Sequence, residues 1–427
     1  MRIVVLGGGF GGVTTARHLE RLFRGRADVE ITLVSRENFF VLTPLLFESC
    51  SGRLELRHCA QPIRAALRRA RFIAATVDRV DVERQIVRAL APDGNTDYDL
   101  PYDHLVVALG ASTNEQLIPG SSNAFTFKTM ADALVLRNHL IEQFERADAA
   151  SEASRRRSCL TVAVIGGGLV GTELLGELTA FADDVLRFYP RLDRTEIRFL
   201  LFEAGTRILP EIDEALAVVA ARVLQRRGAD IRVSTPVRAV EPGRLRVANE
   251  IIDAGTIVLA PGIVPSAVAA AIAVSHDERG RIAVDGTMRS RSHPQVWALG
   301  DCAAIPAPDG RTYPALAQHT VREARQLARN IKAVIEGRAA TPFVFRPLGT
   351  MASLGHTRAV ASVFGLPLTG FIAWWIRRTY YLFQMPRWDR RLRIVLDWTV
   401  ALFFRPDITK VELRVEREQR NGVGLIS

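Results

Sequence analysis

Two glycine fingerprints constrain this chain more tightly than any other feature of it. Arg2 to Leu6 is an apolar strand pattern that runs into Gly7-Gly8-Gly9-Phe10-Gly11-Gly12 and then into a helical stretch from Val13 to Leu22. The succession returns in mid-chain as Leu160 to Ile165, then Gly166-Gly167-Gly168-Leu169-Val170-Gly171, then a helical stretch from Thr172 to Ala182. Strand, GxGxxG turn and helix in that order make a dinucleotide-binding unit. Its first glycine permits the turn, its second lets a pyrophosphate reach the backbone, and its third lets helix and strand pack closely. The helix N-terminus then offers amide donors and the positive end of a dipole to the phosphates. Two such units about a domain apart imply two bound dinucleotides and an α/β fold with two Rossmann-like domains.

An acidic residue at the end of the unit's second strand holds the adenosine ribose. In the second unit, Ile197 to Phe202 ends at Glu203, where a carboxylate would accept from both ribose hydroxyls and repel a 2′-phosphate, favouring NADH over NADPH. The alternative is a solvated strand end, and Arg207 nearby would soften the discrimination. In the first unit, Glu30 to Val34 ends at Ser35, followed by Arg36 and Glu37. One hydroxyl thus replaces the carboxylate, and Arg36 is placed to face the adenosine phosphate.

His104 to Ala108 leads into Leu109-Gly110, and Val258 to Ala260 leads into Pro261-Gly262. Both are strand-to-glycine switches where a chain can cross between cofactor domains. Val296 to Leu299 leads into Gly300-Asp301, whose carboxylate either binds a sugar-alcohol hydroxyl or caps a helix.

A length of 427 residues suits two or three domains. The opening residues pass straight into a strand with no charged leader, so export is not expected. Cys50, Cys59, Cys159 and Cys302 are scattered, with no CxxC spacing, which argues against a disulfide framework or a metal site. The net charge of +10, mostly arginine, suits an acidic partner. No zinc finger, basic zipper or RNA-binding aromatic pattern accompanies it, so nucleic acid is not expected.

The chain resembles the type II NADH dehydrogenases, single-subunit NADH:quinone oxidoreductases of the two-dinucleotide-binding flavoprotein superfamily. The resemblance runs through the glycine-rich start, Thr43-Pro44-Leu45-Leu46-Phe47-Glu48, Gln61-Pro62-Ile63-Arg64, Phe127-Lys128-Thr129 ahead of Asp132-Ala133, the second fingerprint up to Glu173, Gly300-Asp301, and Ala317-Gln318. It implies non-covalent FAD on the first unit, with Gly7, Gly9, Phe10, Gly11, Gly12, Ser35, Arg36, Ala108, Gly110 and Gly300 around it. It also implies Thr43 and Pro44 near the flavin ring, Asp301 on the ribityl chain, and Ala317, Gln318 and His319 at the pyrimidine end. NADH would lie on Gly166, Gly168, Leu169, Val170, Gly171, Glu203 and Gly262. Glu173 either sits by the nicotinamide, as the one catalytic candidate, or is a first-turn glutamate favoured by the helix dipole. Residues 1–115 and 290–345 are expected to form the FAD domain, with the NAD domain, 116–289, inserted between them.

The family's quinone stretch typically reads Ala-Gln-x-Ala-x-Gln, and here Ala317-Gln318-His319-Thr320-Val321-Arg322 keeps the first glutamine while the second alanine and second glutamine are replaced. Arg322 either binds a quinone or pairs with Glu323 or Glu336. After residue 345 the composition changes. Trp374, Trp375, Trp388 and Trp398 are interleaved with Arg377, Arg378, Arg387, Arg390, Arg391, Arg393 and Arg405. No apolar run approaches the roughly 20 residues of a membrane span. The segment 346–427 is therefore expected to face the membrane, with residues 371–405 lying on it, aromatic rings at the interface and arginines toward anionic lipid phosphates. Its apolar faces would otherwise pack on the protein's own core or on a second copy in a homodimer. These features point to a peripheral enzyme on the cytoplasmic side of the cell membrane that passes electrons from NADH to a quinone. The rivals are a sulfide:quinone oxidoreductase, which needs paired redox cysteines, a reductase of a soluble acceptor, and a membrane-associated NADH sensor.

Overall fold

The computed structural model describes residues 1–411 except 115, 249, 261, 348 and 386. Its frame is a pair of five-stranded parallel sheets. The first runs Val296–Ala298, His104–Val107, Arg2–Leu6, Glu30–Ser35, Arg71–Ala74. The second runs Phe125–Thr126, Thr256–Leu259, Thr161–Ile165, Arg198–Phe202, Ala229–Arg232. In each, the strand ahead of the fingerprint lies at the centre, so the glycine turn leaves the sheet beside its neighbours' carboxyl ends, where open α/β sheets bind ligands.

Both central strands are continuous apolar runs because both of their faces are covered. In Thr161–Ile165 the alternation of side chains assigns Val162 and Val164 to a helical core with Leu140, Leu174 and Leu178. Ala163 and Ile165 turn the other way, against Val240, Leu245 and Ile252 of an antiparallel meander, Val237–Glu241, Arg244–Val247 and Glu250–Asp253. On the first sheet, Ile3, Val5 and Leu6 are wholly buried. The helices Phe10–Leu22 and Ala317–Ile335 pack on one another beside it.

The chain leaves the first sheet after His104–Val107 and returns to it with Val296–Ala298. It rejoins the first core earlier than residue 290, because Ala269, Ile272, Ile282, Val284 and Met288 pack there with Leu105 and Trp297. The two strand-to-glycine switches meet: Ala111–Thr113 pairs antiparallel with Ile263–Pro265, and the amide of Ser266 donates to the carbonyl of Gly110 at 3.1 Å. The stretch around 145–158, which reads as a connector, is mostly helical, shared between Met130–Ala149 and Ala153–Cys159. Thr129 and Asp132 form a capping box at the start of the first of these, which explains that motif structurally.

A three-stranded antiparallel sheet, Gly349–Ser353, Ala359–Val363 and Leu366–Thr369, follows, and then the helices Gly370–Gln384 and Trp388–Phe403. No helix among the described residues is long and apolar enough to cross a membrane. The end of the expected membrane-facing segment, 412–427, lies outside the described residues.

Candidate functional site

The first fingerprint turns on Gly7, whose φ of +104° is open to glycine and strained for other residues. A Cβ on Gly12 would be driven into the carbonyl oxygen of Gly7, and one on Gly171 into that of Gly166. These glycines are required by the packing of helix on strand. Gly9 differs from them, for a Cβ there would meet nothing within 4 Å. Gly9 and Gly168 are the N-caps of the helices Phe10–Leu22 and Leu169–Val185, and neither end has a side-chain cap. Each helix therefore presents its first amides to the space beside its glycine loop, as a bound pyrophosphate requires.

Around the second turn, Glu203 bridges the loop. Its Oε2 accepts from the Gly167 amide at 2.6 Å and its Oε1 from the Gly205 amide at 2.6 Å. Arg207 is turned away, donating to the carbonyls of Leu209, Pro210 and Ile212 at 3.0–3.1 Å, so it is not offered to a ribose phosphate. At the first turn Ser35 is buried, while Arg36 is exposed and paired with Glu37 at 3.1 Å. Ala108 underlies Gly7, its carbonyl occupying the place a Cβ on that glycine would need.

Asp301 lies in the turn Gly300–Cys302, partly buried. Burial pushes its carboxyl up, and the ammonium of Lys128 opposes that shift. Lys128 also donates to the carbonyl of Ala111. The amide of Gly300 donates to Oε2 of Glu323 at 2.9 Å. Glu323 is therefore not the partner of Arg322, and Glu336 is paired with Lys332 and Arg338 instead. Arg322 donates to the carbonyl of Gln318 at 2.9 Å and lies 4.5 Å from the ring centre of Phe345. Gln318 reaches the carbonyl of Gly349 at 3.3 Å. The ring of His319 is buried against Tyr313 and Phe345, and burial holds it down at about 4, so the side chain is a neutral core group. Ala317 begins the helix that carries these residues.

Thr43 and Pro44 form a single helical turn, and the carbonyl of Pro44 accepts from Nη2 of Arg377 at 2.9 Å. Arg377 belongs to a buried polar cluster. Its Nε donates to Oε1 of Glu173 at 3.0 Å, and that same oxygen accepts from the amide of Ser353 at 2.6 Å. Arg378 grips Glu48 with Nε at 3.2 Å and Nη2 at 2.7 Å, between the rings of Trp374 and Trp398, while the indole N–H of Trp398 donates to the same carboxylate. Glu177 accepts from Ser51 and Ser353 at 3.2 Å each.

This cluster corrects two expectations. Arg377 and Arg378 do not face lipid: they are 1 % and 5 % exposed, because Glu173 and Glu48 are buried and an unpaired buried carboxylate is strongly disfavoured. Glu173 is the fifth residue of its helix, and the first turn holds no acidic residue, so the helix dipole does not explain it. Burial pushes its carboxyl up, and Arg377 pulls it back.

With this geometry in hand, comparison with known proteins is decisive. The sequence model of the family described as pyridine nucleotide-disulphide oxidoreductase matches residues 1–324. Type II NADH:quinone oxidoreductase Ndh of Mycobacterium tuberculosis is 30% identical over 421 residues, spanning 94% of this chain and 88% of that protein. Demethylphylloquinone reductase NdbB of Synechocystis is also 30% identical, over 93% of this chain and 95% of that protein. The chain belongs to the type II NADH:quinone oxidoreductases, within the pyridine nucleotide-disulphide oxidoreductase family. The fold agrees with that of NDH2 from Plasmodium falciparum, solved with NADH, at a TM-score of 0.88 and 20% identity over 96% of this chain and 99% of that one.

In this type II oxidoreductase, Lys128, Glu323, Glu48, Arg377 and Arg378 stand out in the sequence only as motif or surface residues, and the structure gives them buried polar contacts that the sequence does not reveal. Lys128 stands in a motif that carries the resemblance, but its nearness to Asp301 depends on a chain crossing. Three of the four thiols are buried, which counts against the sulfide-oxidising rival. All four cysteines are free, and burial pushes Cys50, Cys59 and Cys302 up to about 12, which disfavours the thiolate form.

Proposed function

We propose that this protein takes electrons from NADH through non-covalently bound FAD and delivers them to a membrane quinone without pumping protons. The observation that carries the proposal is the pair of uncapped fingerprint helices, one per parallel sheet, in a chain related over nearly its whole length to an NADH:quinone oxidoreductase. Bound FAD supplies the ring that accepts hydride from NADH and later gives up its electrons.

The protein's part is to hold the two dinucleotides in reach of each other and to give the acceptor access. The FAD domain is assigned to residues 1–115 and 290–345, joined in packing by the stretch from 267, and the NAD domain to the residues inserted between. Gly7, Gly9, Phe10, Gly11 and Gly12 would hold the FAD pyrophosphate, with Ser35 and Arg36 on the adenosine side. Ala108, Gly110, Gly300, Asp301 and Lys128 would line the ribityl side, with Thr43, Pro44, Ala317, Gln318 and the backbone of His319 by the ring. Gly166, Gly168, Leu169, Val170, Gly171 and Gly262 would cradle NADH, with Glu203 on its ribose and Glu173 at the nicotinamide. Gln318 and Arg322 stand on the acceptor side. Hydride transfer needs no protein acid or base, so none is assigned.

Residues 371–405 would rest on an anionic membrane surface at the cytoplasmic face of the cell membrane. Trp375, Phe383, Trp388 and Phe403 are 57–78% exposed, which a membrane or a second copy in a homodimer would cover. Steady-state assays of the FAD-loaded protein test the reading. A short-chain quinone should be reduced rapidly with NADH and much more slowly with NADPH. Reduction of a soluble iron–sulfur protein with indifference to quinone would replace it with the soluble-acceptor reading.

A further inference from the structure

A cleft of about 220 Å³ lies between the outer faces of the helices Phe10–Leu22 and Ala317–Ile335 and the junction of the two C-terminal helices. Arg17, His18 and Arg21 line it from the first helix, Arg325 from the second, and Phe383 and Arg391 from the junction. Arg17 and Arg21 are four residues apart on one helical face, a spacing at which like charges repel. Among the described residues, none of Arg17, Arg21, Arg325 and Arg391 makes an ion pair with a carboxylate. The neighbouring Glu20 offsets part of the field at Arg17 but makes no ion pair there, its Oε2 accepting from the backbone amides of Arg68, Arg69 and Ala70 at 2.9–3.3 Å. Arg391 is fixed in place, donating to the carbonyls of Met385 and Phe383.

Gathering same-sign charges in a half-enclosed cleft costs self-repulsion that a bound anion would relieve. The guanidinium fork matches the oxygens of a phosphate group. Burial together with Arg21, Arg325 and Arg17 holds His18 down at about 4, so it is neutral at physiological pH and the arginines carry the charge. The cleft opens beside apolar surface: Phe383 on its wall is 63% exposed, and Trp388, one turn before Arg391, is 75% exposed. Cationic groups beside exposed aromatic rings match the junction of headgroup and acyl chain.

We propose that this cleft binds a phosphate group, and that the group is the headgroup of an anionic phospholipid. The lipid source rests on the membrane contact proposed above, whereas phosphate binding does not. The test uses the FAD-loaded, full-length protein, with partitioning onto vesicles of phosphatidylcholine with and without phosphatidylglycerol, and calorimetric titration with inorganic phosphate. Arg21→Gln with Arg325→Gln removes two exposed charges that no fold contact needs, and flavin absorbance and unfolding midpoint check that the variant is intact.

The variant should lose roughly tenfold or more of its partitioning onto phosphatidylglycerol vesicles and keep its partitioning onto phosphatidylcholine alone. Arg390→Gln with Arg393→Gln, which takes the same charge from the last helix, should lose less. If no vesicle binds but inorganic phosphate binds the parent and not the cleft variant, the phosphate site stands, its source is a soluble phosphate, and the membrane contact falls. Equal losses from the two arginine pairs, or phosphate and phosphatidylglycerol binding unchanged in the cleft variant, would overturn the site.

Discussion

Oε1 of Glu173 accepts a hydrogen bond from Nε of Arg377 at 3.0 Å, and neither side chain is open to solvent. The pair ties the helix Leu169–Val185 to the helix Gly370–Gln384, 204 residues apart in the chain, and Arg377 also binds the carbonyl of Pro44. Removing one partner leaves a buried charge without compensation, which costs about 3–5 kcal/mol. Arg377→Met should therefore lower the unfolding free energy by about that much, as read from denaturant midpoints. Glu173→Gln combined with Arg377→Met should cost clearly less than the sum of the two single changes. Additive single effects would show that the pair is not energetically coupled.

Gly9 and Gly12 should respond differently to the same substitution. Gly12→Ala drives a methyl group into the carbonyl of Gly7 and should impair folding of the domain itself. Gly9 has extended backbone and open space around it, so Gly9→Ala should fold normally and lose flavin. Unfolding midpoints of the flavin-free proteins and the ratio of flavin to protein absorbance after reconstitution check both halves. Full flavin occupancy in Gly9→Ala would mean that no phosphate approaches the backbone there.

How far this site could be read in advance depended on the range of each signal. The fingerprints and both central strands were legible because strand, turn and helix follow one another directly in sequence, and the same continuity sets Glu203 at its strand end beside the glycine loop. Arg377 and Arg378 were misread because arginines among tryptophans suit an interface as well as a core, and Glu173 and Glu48 lie 204 and 330 residues away from them. Arg207 illustrates the same limit at short range, since nothing in its neighbours reveals that three carbonyls capture it. His319 is adjacent to Gln318, yet its ring packs into aromatic core, because consecutive helical positions point about 100° apart.

Glu203 retains acceptor capacity. A carboxylate offers about four lone-pair sites, and two amides occupy part of that set. Glu203→Gln should raise KM for NADH by about tenfold, the loss expected for a hydrogen bond to a charged group, and should lower the ratio of kcat/KM for NADH to that for NADPH. Steady-state kinetics with both cofactors check this. An unchanged ratio would remove Glu203 from the ribose.

Glu323 gives the protein a pH-dependent stability. Burial raises its carboxyl from an ordinary 4.5 to about 8, against the pull of the Gly300 amide. Between those values the folded protein holds a proton on Glu323 that the unfolded chain releases, so the contribution of Glu323 to stability is fully present below 4.5 and is lost as pH rises through about 8. Glu323→Gln should flatten this part of the profile of unfolding midpoint against pH. The same downward slope in the variant would assign it to other groups.

Electron transfer from NADH to a quinone through flavin is tested most directly by anaerobic stopped-flow absorbance. The FAD-loaded protein is mixed with NADH or NADPH, and a short-chain quinone is then added to the reduced form. Rapid bleaching of the flavin by NADH, slow bleaching by NADPH, and prompt recovery of absorbance with quinone are the expected results. A flavin that bleaches but is not reoxidised by quinone, or a protein that takes up no flavin, would contradict the assignment.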